Sequence, residues 1–204
     1  MDHAEDLQRR CYAAILAYLA GLDSEAATFA GTLPEMPAWR EAPHVPLPAA
    51  VDLASCLTMA GDAARPLVEA ILAAAFVLHW QQGYTEAEVG ADYLARSGWC
   101  ELAGPDGPLI LPDARIFIAY WGADLDYQMH WHVPEELYLP LAGTGYFSAE
   151  GNAPRWAGPG DHVFHASNQR HATLMGPDGF LALILWRGDV VLDALVIAPR
   201  EAGR

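Results

Sequence analysis

The sequence contains no lysine: all 11 of its basic residues are arginines, set against 26 acidic residues. That absence excludes a lysine Schiff base, a pyridoxal phosphate site and a lysine-bearing phosphate loop. The net charge of -15 repels phosphate backbones and anionic lipid, so neither nucleic acid nor a membrane surface is expected as a partner. Cysteine is scarce as well. Cys11, Cys56 and Cys100 are odd in number and form no CxxC pair, which fits reduced structural thiols in a cytoplasm better than a disulfide framework. Long apolar runs are also missing. The most apolar stretch, ILAAAFVLHW, falls short of the roughly 20 residues a membrane-spanning helix needs. The opening MDHAEDLQRR is acidic before it is basic and has no cleavage-type signal behind it. A soluble cytoplasmic protein is the expectation, with no signal of its oligomeric state.

What is present divides into two textures. The 204 residues, 53% hydrophobic, suffice for one buried domain or for a core domain with a helical extension. Over residues 1–102, Ala and Leu recur at helical spacing: Leu7, Cys11, Ala14, Ile15, Tyr18 and Leu19 form one stripe, as an amphipathic helix requires. Pro34, Pro37, Pro43, Pro46 and Pro48 then predict an irregular connector. A second helix is predicted from Pro66 to Trp80, with Gly83 as its stop, and a third from Thr85 to about Ser97, where TEAE supplies a cap and acidic residues at the positive helix end. Over residues 103–204 the signals become strand-length: RIFIAYW, LYLPLAG, TGYFSAE, DHVFHA, FLALILW and VVLDALVI, with GTG, EGNAP, GPGD and GPDG as turn material. Many short strands at this spacing predict an antiparallel sandwich or barrel. The expected organisation is a helical N-terminal segment (1–102) packed on a small β-barrel (103–204).

The chemistry concentrates in residues 128–140, QMHWHVPEELYLP. On a strand, side chains alternate faces with period two, so His130 and His132 point one way and Trp131 the other. If the chain turns back at Val133 and Pro134, Glu136 and Tyr138 share a face with each other. Two imidazoles and a carboxylate on facing strands can converge on a divalent metal. Some thirty-five residues on, GPGDHVFHASNQRHA places a tight turn at Gly158–Asp161 and then His171. His162 and His165 lie beside this second segment and are read as strand or pocket residues, while His3, His44 and His79 have no partner in sequence.

The segments His130–Gly143 and Pro159–His171 together resemble the two motifs of the cupin superfamily, over roughly residues 115–190. Where cupins carry a glycine six residues before the first histidine, this chain has Asp124, so the turn leading into the motif is expected to depart from the pattern. The resemblance implies a mainly β fold, the double-stranded β-helix (jelly roll), with His130, His132, Glu136 and His171 binding one divalent metal inside. Such a donor set accepts Zn, Fe, Mn, Co or Ni.

The longer stretch YWGADLDYQMHWHVPEELYLPLAGTGYF, behind a helical segment, resembles the cupin-type dimethylsulfoniopropionate lyases. That resemblance implies a carbon–sulfur lyase that needs the metal and no organic cofactor. Its substrate would be a small sulfonium carboxylate, split by β-elimination into dimethyl sulfide and acrylate. Tyr138 is then the expected base, because a nearby dication favours a tyrosinate. Tyr127 is expected to line the same pocket. Strict alternation from His130 sends it to the opposite face, so a bend or loop is expected just before the strand. The sulfonium needs aromatic faces, for which Trp186 is the first candidate and Tyr120 and Trp121 follow. An Fe(II) cupin dioxygenase and a non-enzymatic small-molecule-binding cupin are the alternatives; the second base at Tyr138 favours elimination over the former, and the lack of a basic DNA-binding helix weighs against the latter.

Overall fold

The computed structural model describes residues 3–22, 24–31, 33–47, 52–190, 192 and 195–198. Helix α1, His3–Ala20, buries Gln8, Cys11, Tyr12, Ile15, Tyr18 and Leu19 at helical spacing, close to the predicted stripe. Gln8 takes the place expected of Leu7 in the buried face because its amide is used twice. Nε2 donates to the Val77 carbonyl at 3.0 Å, and Oε1 accepts from the Trp39 indole at 2.8 Å. Helix α2 spans Ser24–Ala30, and the proline-rich connector carries a two-residue strand β1, Ala38–Trp39; Pro48 lies outside the described residues.

A 3-10 turn at Asp52–Ser55 leads into α3, Cys56–Met59, and α4 runs from Arg65 to Ala74 with Pro66 in its first turn. The helix predicted to reach Trp80 ends earlier: a 3-10 turn covers Ala75–Val77, and Leu78 is extended. Trp80 instead folds back, its indole N–H donating to the Ala75 carbonyl at 2.9 Å and satisfying one of the acceptors a helix end leaves free. The third predicted helix is divided. Helix α5, Glu86–Val89, starts at a Thr85–Glu88 capping box and stops at Gly90, where φ is 84°; α6 continues over Ala91–Arg96.

The sheet consists of β2 (Ser97–Gly104), β3 (Leu109–Ile110), β4 (Ala114–Trp121), β5 (Asp126–Trp131), β6 (Glu135–Ala149), β7 (Arg155–Ala157), β8 (Val163–His165), β9 (His171–Arg187) and β10 (Val196–Ile197), with β1 at one edge. LYLPLAG and TGYFSAE are one strand, and GTG is a bulge in β6 rather than a turn. There Gly143 has φ 72°, and a Cβ on it would stand 1.9 Å from the Gly179 carbonyl oxygen, so only glycine lets the two backbones meet. Of VVLDALVI, Val196–Ile197 form a strand, and positions 191, 193 and 194 lie outside the described residues. The paired β6 and β9 form the spine of a jelly roll with a helical N-terminal segment, and among the described residues the hydrogen-bonded path runs from β1 to β10 without closing a ring.

Alternation along β4, β6 and β9 serves two cores. Ile116, Ile118, Leu137, Leu139, Leu141, Leu181, Leu183 and Leu185 face α1 and α4, while Phe117, Trp121, Tyr138, Phe180, Ile184 and Trp186 face the other way, into the roll. A sheet covered on both faces loses the polar alternation of a half-exposed one, which is why SGWCELAG reads as neither helix nor strand from composition. Apart from Glu136 and the buried histidines, this interior accepts an ion pair: Arg115 pairs with Glu101, both at most 5% exposed. Glu101 also accepts from the Asp106 and Gly107 amides, and Arg115 Nε donates to the Val190 carbonyl at 2.6 Å. Stranding one partner of a buried pair costs about 3–5 kcal/mol. Arg115→Ala should therefore lower the unfolding free energy by that amount in denaturant titrations, a shift below 1 kcal/mol marking the pair as dispensable.

Candidate metal centre

His130 and His132 lie on β5 and just after it, Glu136 at the start of β6, and His171 at the start of β9. All four are at most 3% exposed. The ring nitrogens of His130, His132 and His171 available to an ion lie within 4.8 Å of one another. Glu136 Oε2 stands 3.3 Å from His132 Nε2 and 3.1 Å from His171 Nε2. Metal–ligand bonds of about 2.0–2.2 Å let one dication bridge such a set.

The hydrogen bonds fix how these rings present themselves. Nδ1 of His130, His132 and His171 meets the backbone carbonyls of Gln128 (2.9 Å), Pro134 (2.9 Å) and Gln169 (2.8 Å). A carbonyl only accepts, so each Nδ1 carries the proton and each Nε2 offers a lone pair, the arrangement found around metal-bound imidazoles. On the other side, the Trp186 indole N–H donates to Glu136 Oε1 at 2.8 Å. His132 Nε2, His171 Nε2 and Glu136 Oε2 are left buried without a hydrogen-bond partner, a costly state unless a cation completes them. The donor set therefore fits a divalent metal.

The charges agree. Burial first, then His171, holds His130 well below the usual imidazole range, so it stays a neutral donor. Burial opposes charge on Glu136 too, but His132 and His171 outweigh it and keep its carboxyl well below the usual carboxylate range. For His132, burial is likewise overcome by Glu136, and its pKa is raised.

The predicted bend before the strand is a β-bulge. Tyr127 pairs with Thr173 and His130 with His171, three residues against two. The extra residue turns Tyr127 onto the same side as His130, and the rings stack with centroids 3.9 Å apart. The turn leading into the strand keeps its shape without glycine: Asp124 has φ 57°, a region aspartate tolerates better than most residues. Trp131 points away as predicted, under the Arg170 guanidinium at 4.8 Å.

Beside the donors opens a cavity of about 400 Å³, whose lining includes Tyr127, Tyr138, Trp121 and Trp186. Tyr120 does not line it. Adjacent residues of one strand face opposite ways, and Tyr120 belongs to the core under the helices while Trp121 faces inward. Burial first, then Glu136, raises the Tyr138 phenol well above its ordinary pKa. Trp186, expected to hold a sulfonium, is engaged at the donors: besides its bond to Glu136, its ring lies 4.5 Å from that of His132.

Three residues stand at the site beyond the predicted donors and catalytic tyrosines: His165, read from the sequence only as a strand or pocket residue, and Tyr84 and Tyr93, which the sequence did not single out. His165 pairs with Glu136 across β8 and β6 and is fully buried, with its ring stacked 3.9 Å from His171; burial pushes its pKa down to about 3. It also offers a nitrogen within 4.8 Å of donor atoms of Glu136 and His171. Tyr84 and Tyr93, from the segment preceding the sheet, line the cavity. The long helices α1 and α4 pack on the sheet's outer face, whereas residues 81–98 line one side of the cavity. His162 is half-buried and stands outside the cavity lining.

The family described as dimethylsulfoniopropionate lyase matches residues 25–182. The dimethylsulfoniopropionate lyase DddQ of Ruegeria pomeroyi is 35% identical over 187 residues, 91% of this chain and 93% of that one. Its crystal structure superposes with a TM-score of 0.88 at 33% identity, covering 97% of this chain and 99% of the other. A chain from the crystal structures of the lyases RdDddP and RnDddQII gives a TM-score of 0.89 at 36% identity, covering 96% and 99%.

Proposed function

Because the chain belongs to the dimethylsulfoniopropionate lyase family, whose members are carbon–sulfur lyases, we propose that it splits dimethylsulfoniopropionate into dimethyl sulfide and acrylate by β-elimination, with a divalent metal held by His130, His132, Glu136 and His171. The observation that carries this reading is the buried, incompletely partnered donor set beside a cavity that holds four phenols, two of them (Tyr127 and Tyr138) on the strands that carry the donors, and no basic side chain among its described lining.

When bound, the metal supplies a positive charge that stabilises the enolate-like charge developing on the substrate carboxylate. Tyr138, as the phenolate that a dication beside it would favour over the phenol that burial and Glu136 favour, takes the α-proton. The electrons of that C–H bond become the second bond of acrylate, and those of the C–S bond leave with sulfur as neutral dimethyl sulfide, so no redox partner is needed. Tyr127, stacked on His130 and facing the same cavity, orients the substrate beside Tyr138 and is the second catalytic phenol of this reading. The aromatic walls exclude water. Headspace detection of dimethyl sulfide over purified protein given dimethylsulfoniopropionate tests the assignment, and its absence from metal-loaded protein would remove it.

Trp186 acts through Glu136. Trp186→Phe keeps an aromatic ring against His132 but deletes the N–H that orients the carboxylate. Loss of such a partner typically weakens metal binding about 10–100-fold. Competition against a coloured chelator should show that loss; unchanged retention would return Trp186 to a packing role.

A further inference from the structure

Resting on the lyase reading above, we propose that the methylated onium end of the substrate lies against Tyr84 and Tyr93, which the segment in front of the sheet adds to Trp121 and Tyr127. Glu136 is the only carboxylate in the described cavity lining, and no arginine is present there. A substrate carboxylate would therefore be drawn to the metal that the donors hold, and its opposite end meets a wall without charged side chains, in which aromatic and aliphatic residues are joined by Gln81, Gln82 and Ser97.

That wall is continuous. From the donors outward, Tyr127 stacks on His130, its hydroxyl bonds to that of Tyr84, and its ring stands 5.9 Å from Tyr84, 5.9 Å from Tyr93 and 5.8 Å from Trp121. The Trp121 indole N–H donates to the Tyr93 hydroxyl at 2.8 Å. The polar atoms of Tyr84, Tyr93 and Trp121 are thus engaged within the wall, and what these three rings offer a ligand is π surface, which attracts cations. Carboxylates outside the donor set reinforce the sign: Glu88 acts on Tyr84, and Asp126 acts on Tyr93. The one arginine of that segment, Arg96, is tied to Asp92 and to the Ala123 carbonyl. Trp186 is occupied at the donor end, which leaves the outer wall as the place for the cation.

The test is calorimetric titration of metal-loaded protein with two ligands. One is the trimethylammonium analogue of the substrate, whose amine is a poor leaving group; the other is its neutral tert-butyl isostere, equal in shape and carboxylate. Wild type should prefer the cation at least about fivefold, the scale of one or two cation–π contacts. Tyr84→Leu should erase most of that preference and Tyr84→Phe, which keeps the ring, should retain it. Equal affinities in wild type, or a preference untouched by both Tyr84→Leu and Tyr93→Leu, would overturn the subsite. The wild-type comparison stands even where a variant fails to fold. Preference for the cation without release of dimethyl sulfide from dimethylsulfoniopropionate would keep the subsite and remove the lyase reading; sulfide release without preference would do the reverse.

Discussion

Turnover of the Tyr138→Phe variant is expected to fall at least about a hundredfold, the usual scale for losing a general base, with metal content near that of wild type. Phenylalanine keeps the ring that packs against Phe147 at 5.4 Å and His165 at 5.9 Å, so the wall of the cavity is preserved and only the hydroxyl is deleted. The Michaelis constant should move little, because the carboxylate and onium contacts lie elsewhere. Activity within a few fold of wild type, with metal retained, would exclude Tyr138 as the base and transfer the role to Tyr127. Loss of metal together with activity would make Tyr138 a ligand instead.

The second large effect belongs to His132. Its Nδ1 is held by the Pro134 carbonyl and its Nε2 faces Glu136 and the centre, so His132→Ala removes a donor and the charge partner of the carboxylate at once. Electrostatic stabilisation by a bound metal is worth several kcal/mol in the transition state, which at about 1.4 kcal/mol per tenfold is a loss on the order of a thousandfold. Elemental analysis should find metal well below one per chain. Unchanged stoichiometry would overturn the donor assignment, and a variant that loses activity but keeps metal would move His132 from ligand to substrate contact.

The part of the site that sequence could reveal is the part built on one strand and its return. His130, His132 and Glu136 sit within seven residues, and period two nearly suffices to bring them together; His171 follows from the second motif. Tyr127 was legible as a conflict, three residues from His130 and needed on its face, and the bulge resolves it. Adjacent Tyr120 and Trp121 could not both face one cavity, a restriction already contained in strand alternation. What stayed hidden depends on tertiary docking. Tyr84 lies in the bend before α5 and Tyr93 on the six-residue α6, neither with a pattern that speaks of a cavity, and they reach it because Gln81 bridges to Trp99 and Gly122 bonds back to Arg96. Strand β2 was masked by burial on both sides, for a strand with seven of eight residues buried has no polar face to announce its period. The early stop of α4 was equally invisible, because the indole that takes up its free carbonyl is itself part of the apolar run that suggested a longer helix.

The lining of one side of the cavity by residues 81–98 separates two kinds of inheritance within one chain. The donors are written into the roll, where each ligand's backbone partner and each facing strand restrict what can change. Half of the outer wall, Tyr84 and Tyr93, is written into a stretch that shares no residue with them and adds its rings to Trp121 and Tyr127 of the roll. Substitutions accumulating there can reshape what is admitted while the metal chemistry is carried forward intact. For a designer the same division marks residues 81–98 as the segment to graft or randomise when a different leaving group is wanted.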